Sequence, residues 1–246
     1  WFATLRFSSN SFFEMNGLSF APILWLFLAV FTLYFVRKIF GIDRWHGPAD
    51  AVYACHRTDN ELDLKKGIGS TFAALVSLCG GAPVGQYGPL VNFGATIGSF
   101  VSEFLKARAF TPEILMGCGV AAAISAGFHA PIAGIIFAHE AVLRHFSLRA
   151  LVPIAVASAT SAAFGNWAFG GSALFSIDVV APELLPLMPA LIISGIAFGI
   201  AALVYMKLIF FFAAMPPKYK LGYLPFALSA ALITGIFGMF FPEVLG

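Results

Sequence analysis

Gly119-Val120-Ala121-Ala122-Ala123-Ile124-Ser125-Ala126-Gly127-Phe128-His129-Ala130-Pro131-Ile132-Ala133-Gly134-Ile135-Ile136-Phe137 is a run of apolar and small residues cut by a proline. Proline lacks an N–H and its ring clashes with the preceding helical turn, so the run cannot be one straight helix. It lies within a longer apolar stretch, Pro112 to Leu143, which reads as two helices separated at Pro131. The stretch from Gly67 to Ala107 repeats the design, with interruptions at Gly80-Gly81-Ala82-Pro83 and Gly88-Pro89 that predict two shorter helices around an unwound middle. Broken helix inside hydrocarbon strands amides and carbonyls that lipid cannot satisfy, unless the break is buried in protein or lines an aqueous cavity. The expectation is an all-α, polytopic membrane protein with broken and re-entrant helices.

The rest of the chain agrees with a bilayer. Of 246 residues, 60% are hydrophobic and 11% charged, against about 25% charged in an average soluble domain. Further helices are expected at Phe20 to Val36 (ending on Arg37-Lys38), Leu148 to Phe169, Pro186 to Met215 and Tyr223 to Phe241. Polar separators fall at Asp178 to Glu183 and Pro216 to Lys220, and the polar stretch from Gly41 to Lys66 should touch water. Residues 18–66 thus hold a first span and polar loop, 67–143 a broken-helix region, and 148–246 further membrane helices. Arg37, Lys38, Lys65, Lys66, Arg144 and Arg149 would mark the cytoplasmic side. The chain opens on Trp1 and ends on Gly246 within apolar context, so both ends are expected to be cut. A net charge of +2, with basic residues scattered, excludes a nucleic-acid partner. Cys55, Cys79 and Cys118 have no metal-ligand spacing and are expected as thiols.

A helix that starts inside the membrane offers unpaired N–H groups and about half a positive charge, which replaces part of an anion's hydration shell without a full cation. Val84-Gly85-Gln86-Tyr87-Gly88-Pro89 is built for such a start, since glycine permits the turn and proline suits the first helical turn. His46-Gly47-Pro48 is a second, weaker case. Gly85, Gln86, Tyr87, Gly88, Pro89, Trp45, His46 and Gly47 are therefore the candidate anion-pathway residues.

Gly81 to Gly98 resembles the G-[KR]-E-G-P signature helix of the CLC chloride channels and chloride/proton exchangers. Gly119 to Phe137 is more specifically similar to that family's A-A-x-F-N-A-P-x-A-G-x-x-F segment. The resemblance runs from about Leu18 to Gly246 and covers the earlier and middle parts of a CLC membrane core. It implies a CLC-like but incomplete transmembrane domain, the later half of the core, which would supply the second set of anion-facing amides, being expected to be missing.

Departures from the family pattern bear on mechanism. The gating glutamate of G-[KR]-E-G-P is matched by Tyr87, whose phenol stays neutral at ordinary pH and can donate to an anion but cannot cycle as a carboxylate. The exchangers' internal proton-transfer glutamate, second of a Glu-Glu pair, is matched by Ala141, with Glu140 as the first of the pair. Glu140 itself is expected as a structural carboxylate, capped by backbone or paired with a base. The serine of the family's G-S-G-I-P loop falls on Trp45 or His46 according to register, and Trp45 also suits an interfacial anchor beside Arg44.

The resemblance and its lost glutamates imply passive transport of chloride or a similar anion without obligatory proton exchange. The alternatives are an exchanger using other acids such as Glu140 or His139, and a non-conducting structural subunit. Enzymatic activity is not expected: no G-x-S-x-G elbow occurs, and His139 and His145 are six apart where H-E-x-x-H needs four. No cofactor or metal is implied. The resemblance also implies a homodimer in lipid, its interface drawn from Pro131 to Leu143 and Leu148 to Phe169. Gly94-x-x-x-Gly98 and Gly195-x-x-x-Gly199 read as helix-packing faces, and Ser125 and Ser158 as interhelical packing residues.

Overall fold

The computed structural model describes residues 14–15, 18–19, 21–57, 62–85, 87–105, 111–170, 184–218 and 222–241. Glu14–Met15 (β1) and Leu18–Ser19 (β2) form a minimal antiparallel ladder, and every other described regular element is helical. The first helix, α1 (Ala21–Phe40), runs past its expected end at Val36. Arg37 explains the extension: its guanidinium donates to the carbonyls of Ile42 and Asp43, both at 2.8 Å, tying the last turn to the loop beyond.

The polar stretch contains a short helix, α2 (Pro48–Cys55), and the start of α3 (Leu64–Cys79). Asp63 caps α3 by accepting from the Lys65 and Lys66 amides at 2.9 and 3.2 Å. α4 (Tyr87–Leu105), α5 (Pro112–Phe128) and α6 (Pro131–Phe137) follow, with α6 running on as a π-helical turn, Ala138–Leu143. α7 (Leu148–Phe169), α8 (Leu184–Lys218) and α9 (Tyr223–Phe240) complete the described helices. α8 carries on through Pro216 and Pro217, where a separator was expected. The prolines remove backbone bonds only from the last turn, a loss that membrane helices tolerate.

α1 to α7, with α9 from Ala231 onward, belong to one unit, and α8 with residues up to Ala230 to a second. In the first unit α5 is the central element. It buries Ile114, Met116, Val120, Ala121 and Ile124, and Val91 and Ala95 of α4, Ala138 and Val142 of the π turn, and Ala150 and Ile154 of α7 complete the same core.

Contact between α4 and α5 is backbone to backbone. A Cβ at Gly94 would land on the Gly119 carbonyl, one at Gly119 on the Gly94 carbonyl, and one at Gly98 on the Leu115 carbonyl. The Gly94/Gly98 pair is thus the packing face its spacing predicted. The Gly195/Gly199 pair differs, since a Cβ at either position meets nothing within 4 Å. Windows within α1, α7, α8 and α9 are long and apolar enough to cross a membrane; that of α8 spans Pro186–Ala214. None of Cys55, Cys79 and Cys118 is in a disulfide.

Candidate functional site

Two interruptions approach each other across α4 and α5. The first begins where α3 ends on a Schellman motif, in which the Gly81 amide donates to Leu78 O (2.9 Å) and the Ala82 amide to Ser77 O (3.0 Å). Gly81 takes φ +88°, a left-handed conformation that glycine adopts without penalty. Residues 82–85 are irregular, turning where the Val84 amide donates to Ala82 O at 2.8 Å, with Pro83, Val84 and Gly85 exposed, and α4 starts at Tyr87-Gly88-Pro89. Gln86 lies outside the described residues.

Tyr87 bridges the two interruptions. Its ring stacks on Phe128, the last residue of α5, with centroids 3.8 Å apart and planes 18° apart. Its edge also runs beside the Gly127 Cα, where a Cβ would sit 3.4 Å from Tyr87 Cε1. Tyr87 is half-buried, and among the described residues no partner hydrogen-bonds its hydroxyl. The phenol therefore joins the mouth of α4 to the end of α5 through its ring and keeps its O–H uncommitted.

The second interruption follows Phe128. His129 caps α5 in the left-handed region (φ 53°, ψ 33°), and Pro131 opens α6 as predicted. The His129 ring pairs through Nδ1 with Asn166 Oδ1 of α7 at 3.0 Å. Ser158 of α7 donates to the Pro131 carbonyl, and Ser125 of α5 to the Ser158 carbonyl, both at 2.7 Å and both serines fully buried. These bonds tie α7 to both sides of the break, and the two serines are interhelical residues as expected. The His129–Asn166 pair was not foreseen, because 37 residues separate its partners and only the fold brings them together.

The N-terminus of α2 meets that of α4. The Pro48 ring lies against Gly88, with Cγ 3.3 Å from where a Cβ would be. The two ends differ electrically, however. The Gly47 amide already donates to Asp50 Oδ2 at 2.8 Å, and Asp50 pairs with Arg44 through its other oxygen. α2 thus brings its own carboxylate to the place where a guest anion was expected, while Pro48 has no N–H to give. The His46 amide donates to Ser70 Oγ of α3 at 3.0 Å, leaving His46 Nδ1 buried without a partner among the described residues. Trp45 beside it is half-buried.

Ala141 and Glu140 sit in the π-helical turn, which the apolar pattern did not reveal. Glu140 is exposed and among the described residues has neither a backbone cap nor a base, so the expected structural pairing is absent. Ala141 is half-buried. The neighbouring His139 is fully buried, donates from Nδ1 to Ile135 O at 3.0 Å, and stacks on Phe146 at 4.8 Å. Its Nε2 is buried without a partner.

Interrupted helices whose N-termini meet, among described helices long and apolar enough to cross a membrane, define a polytopic α-helical membrane protein. The family model described as "Voltage gated chloride channel" matches residues 24–246, and the chain belongs to that family, the CLC proteins. It is 29% identical over 211 residues to a putative chloride channel protein, ClcB-like, of Ralstonia nicotianae, covering 81% of this chain and 48% of that one. It is 25% identical over 210 residues to the voltage-gated ClC-type chloride channel ClcB of Citrobacter koseri (82% and 48%). It is 26% identical over 219 residues to ClcB of Escherichia coli O81 (82% and 48%). The chain spans about half the length of these curated relatives. It is an integral, multi-pass membrane protein.

Proposed function

We propose that this chain carries part of a pathway for chloride or a similar small anion, and that the anion moves passively, without obligatory proton exchange. The observation that carries the proposal is Tyr87: a phenol, not a carboxylate, stands at the start of α4 with its hydroxyl uncommitted. Such a group donates a hydrogen bond to an anion at the helix tip, where the first amides have no intrahelical partners. Gly85, Gly88 and Pro89 shape that tip, and Trp45, His46 and Gly47 form the second wall. The exposed Glu140 and the Ala141 beside it offer no buried carboxylate relay on the inner side. Being named chloride channels, the relatives support the choice of anion.

The pathway works in a homodimer whose interface is drawn from α6, the π turn and α7. The support is an exposed apolar face that includes Ile132, Ile136, Val152 and Val156.

Reconstitution of the full-length protein into liposomes tests the uncoupled reading. The reversal potential should follow the chloride gradient by about 59 mV per tenfold ratio, the slope for a single monovalent charge, and stay unmoved when a pH gradient is imposed. A shift with the pH gradient would overturn passive conduction and favour exchange, with the buried, unpartnered His139 Nε2 as the first group to replace.

A further inference from the structure

Away from the interrupted helices, the C-terminal end of α2, the first turn of α5 and the end of the π turn enclose an open cavity of about 610 Å³. Its polar lining is Cys55, His56, Arg57, Glu113, Arg144 and His145. Two guanidinium groups and one carboxylate thus line it, and the Arg57 guanidinium also lies over the Tyr53 ring, 5.7 Å from its centroid. Arg144 has no ion pair among the described residues, and its left-handed backbone (φ 59°) ends the π turn.

The two imidazoles share an arrangement that gives this charge a pH dependence. His56 Nδ1 lies 2.8 Å from Val52 O, and His145 Nδ1 lies 2.9 Å from Leu143 O. A carbonyl oxygen only accepts, so in each neutral ring the proton sits on Nδ1 and Nε2 carries a lone pair. In that state neither ring can donate to an anion. Adding a proton to Nε2 turns each into a charged donor. Among the described residues, the other titratable or charged groups lining the cavity with the two rings are Cys55, Arg57, Glu113 and Arg144, so binding an anion offsets the repulsion that a protonated ring would meet from the arginines.

We propose that this cavity is a proton-linked binding site for a phosphate group, held by Arg57 and Arg144 and joined by the protonated Nε2 atoms of His56 and His145. Phosphate fits better than a halide, because the planar guanidinium fork matches paired oxygens and a tetrahedral oxyanion has enough of them to engage several donors at once. The volume also leaves room for whatever the phosphate is attached to. Exposed Phe146 and Leu148 adjoin His145, so a phosphate carried on a lipid headgroup would find apolar surface beside the cavity for its chains. The site does not depend on the anion pathway, and its test is separate from conduction.

The experiment is a thermal-shift titration of the full-length protein in neutral detergent at pH 5.5, 6.5 and 8, at constant ionic strength set with sodium chloride. One arm uses inorganic phosphate, another dihexanoyl phosphatidylglycerol, and the control for the second is dihexanoyl glycerol, which lacks the phosphate. A phosphate-bearing probe should raise Tm where its control does not, with affinity rising as pH falls by up to about tenfold per pH unit for each imidazole that takes up a proton on binding. A response to the lipid alone identifies a headgroup site, and a response to inorganic phosphate as well identifies a site for the free ion. The phosphodiester keeps its single charge throughout, so its curve rises steadily towards pH 5.5, while inorganic phosphate loses its second charge and gives a flatter one. Arg144→Asn, which tolerates the left-handed backbone, should weaken binding by about ten- to a hundredfold, as expected for loss of charged hydrogen bonds. The pair His56→Gln and His145→Gln should retain binding at pH 8 and lose its increase at low pH. The proposal is overturned if neither phosphate probe shifts Tm at any pH, if Arg144→Asn binds like the parent, or if the glutamine pair keeps the pH dependence.

Discussion

Replacing Tyr87 with phenylalanine isolates the group on which the conduction mechanism rests. The ring stack on Phe128, at 3.8 Å and 18°, needs no hydroxyl, so Tyr87→Phe should leave the packing between α4 and the end of α5 intact. It removes only the O–H, and a hydrogen bond to a charged group is worth about 1.5–3 kcal/mol. At about 1.4 kcal/mol per decade, the chloride dissociation constant should rise roughly tenfold to a hundredfold. Tyr87→Ala removes the ring too, losing the hydroxyl contact and also about 0.5–1.5 kcal/mol of stacking, so it should lower Tm as well as affinity. The assay is chloride binding by calorimetry on the purified full-length protein, with chloride flux from liposomes measured in parallel. Weak binding and an open mouth act oppositely on flux, which makes affinity the deciding quantity. If Tyr87→Phe binds chloride like the parent while Tyr87→Ala only lowers Tm, the residue is a packing ring and its hydroxyl never meets the ion.

Gly119→Ala should destabilise by about 1–3 kcal/mol, the usual cost of overpacking, since the new methyl falls on the Gly94 carbonyl. Gly199→Ala is its control: with nothing within 4 Å, it should be neutral or slightly stabilising by helix propensity, and thermal melts of the two variants compare them directly. Ser158→Ala should lower Tm through a loss of about 0.5–1.5 kcal/mol, the worth of the interhelical bond from its hydroxyl to the Pro131 carbonyl, which lies in the first turn of α6 and still accepts within that helix. The equivalent change at Ser194, which only bonds back to Leu191 O on its own exposed helix, should fall within about 0.5 kcal/mol.

The interruptions were legible because glycine and proline act locally. Gly80-Gly81 ends α3 and Pro131 starts α6 through conformational limits that any neighbour would leave in force. The Gly94/Gly98 face was legible for a similar reason, since small residues at helical spacing permit close approach whatever the partner. Long-range pairing left no such mark. The Tyr87–Phe128 stack, the Ser158 bond to Pro131 O and the His129–Asn166 pair each join residues whose spacing carries no signal. The π turn at Ala138–Leu143 was also hidden, because an apolar run reads alike with α or π hydrogen bonding, and so the burial of His139 with Glu140 left outside did not follow from a helical wheel. Arg37 gave no sign that it would carry α1 past Val36, since its partners are loop carbonyls.

The meeting of α2 and α4 changes what the resemblance alone would imply about the site. Two converging N-termini would by themselves act as equal attractors, each with about half a positive charge. Here α2 spends its cap amide on Asp50, and its first helical residue is a proline, so its capacity for a guest anion is largely used up internally. Asp50 is not a bare repelling charge either, because Arg44 pairs with it from a position whose side chain is 75% exposed, where water screens what remains. To an ion at the α4 tip, the α2 end is thus close to neutral: a wall supplied by Pro48 against Gly88. On the proposed pathway the attraction then falls on the amides of α4 and on the Tyr87 hydroxyl, donors without net charge. Neutral donors hold an anion less tightly than a cationic pocket would, and in the proposed pathway weak holding favours passage over trapping.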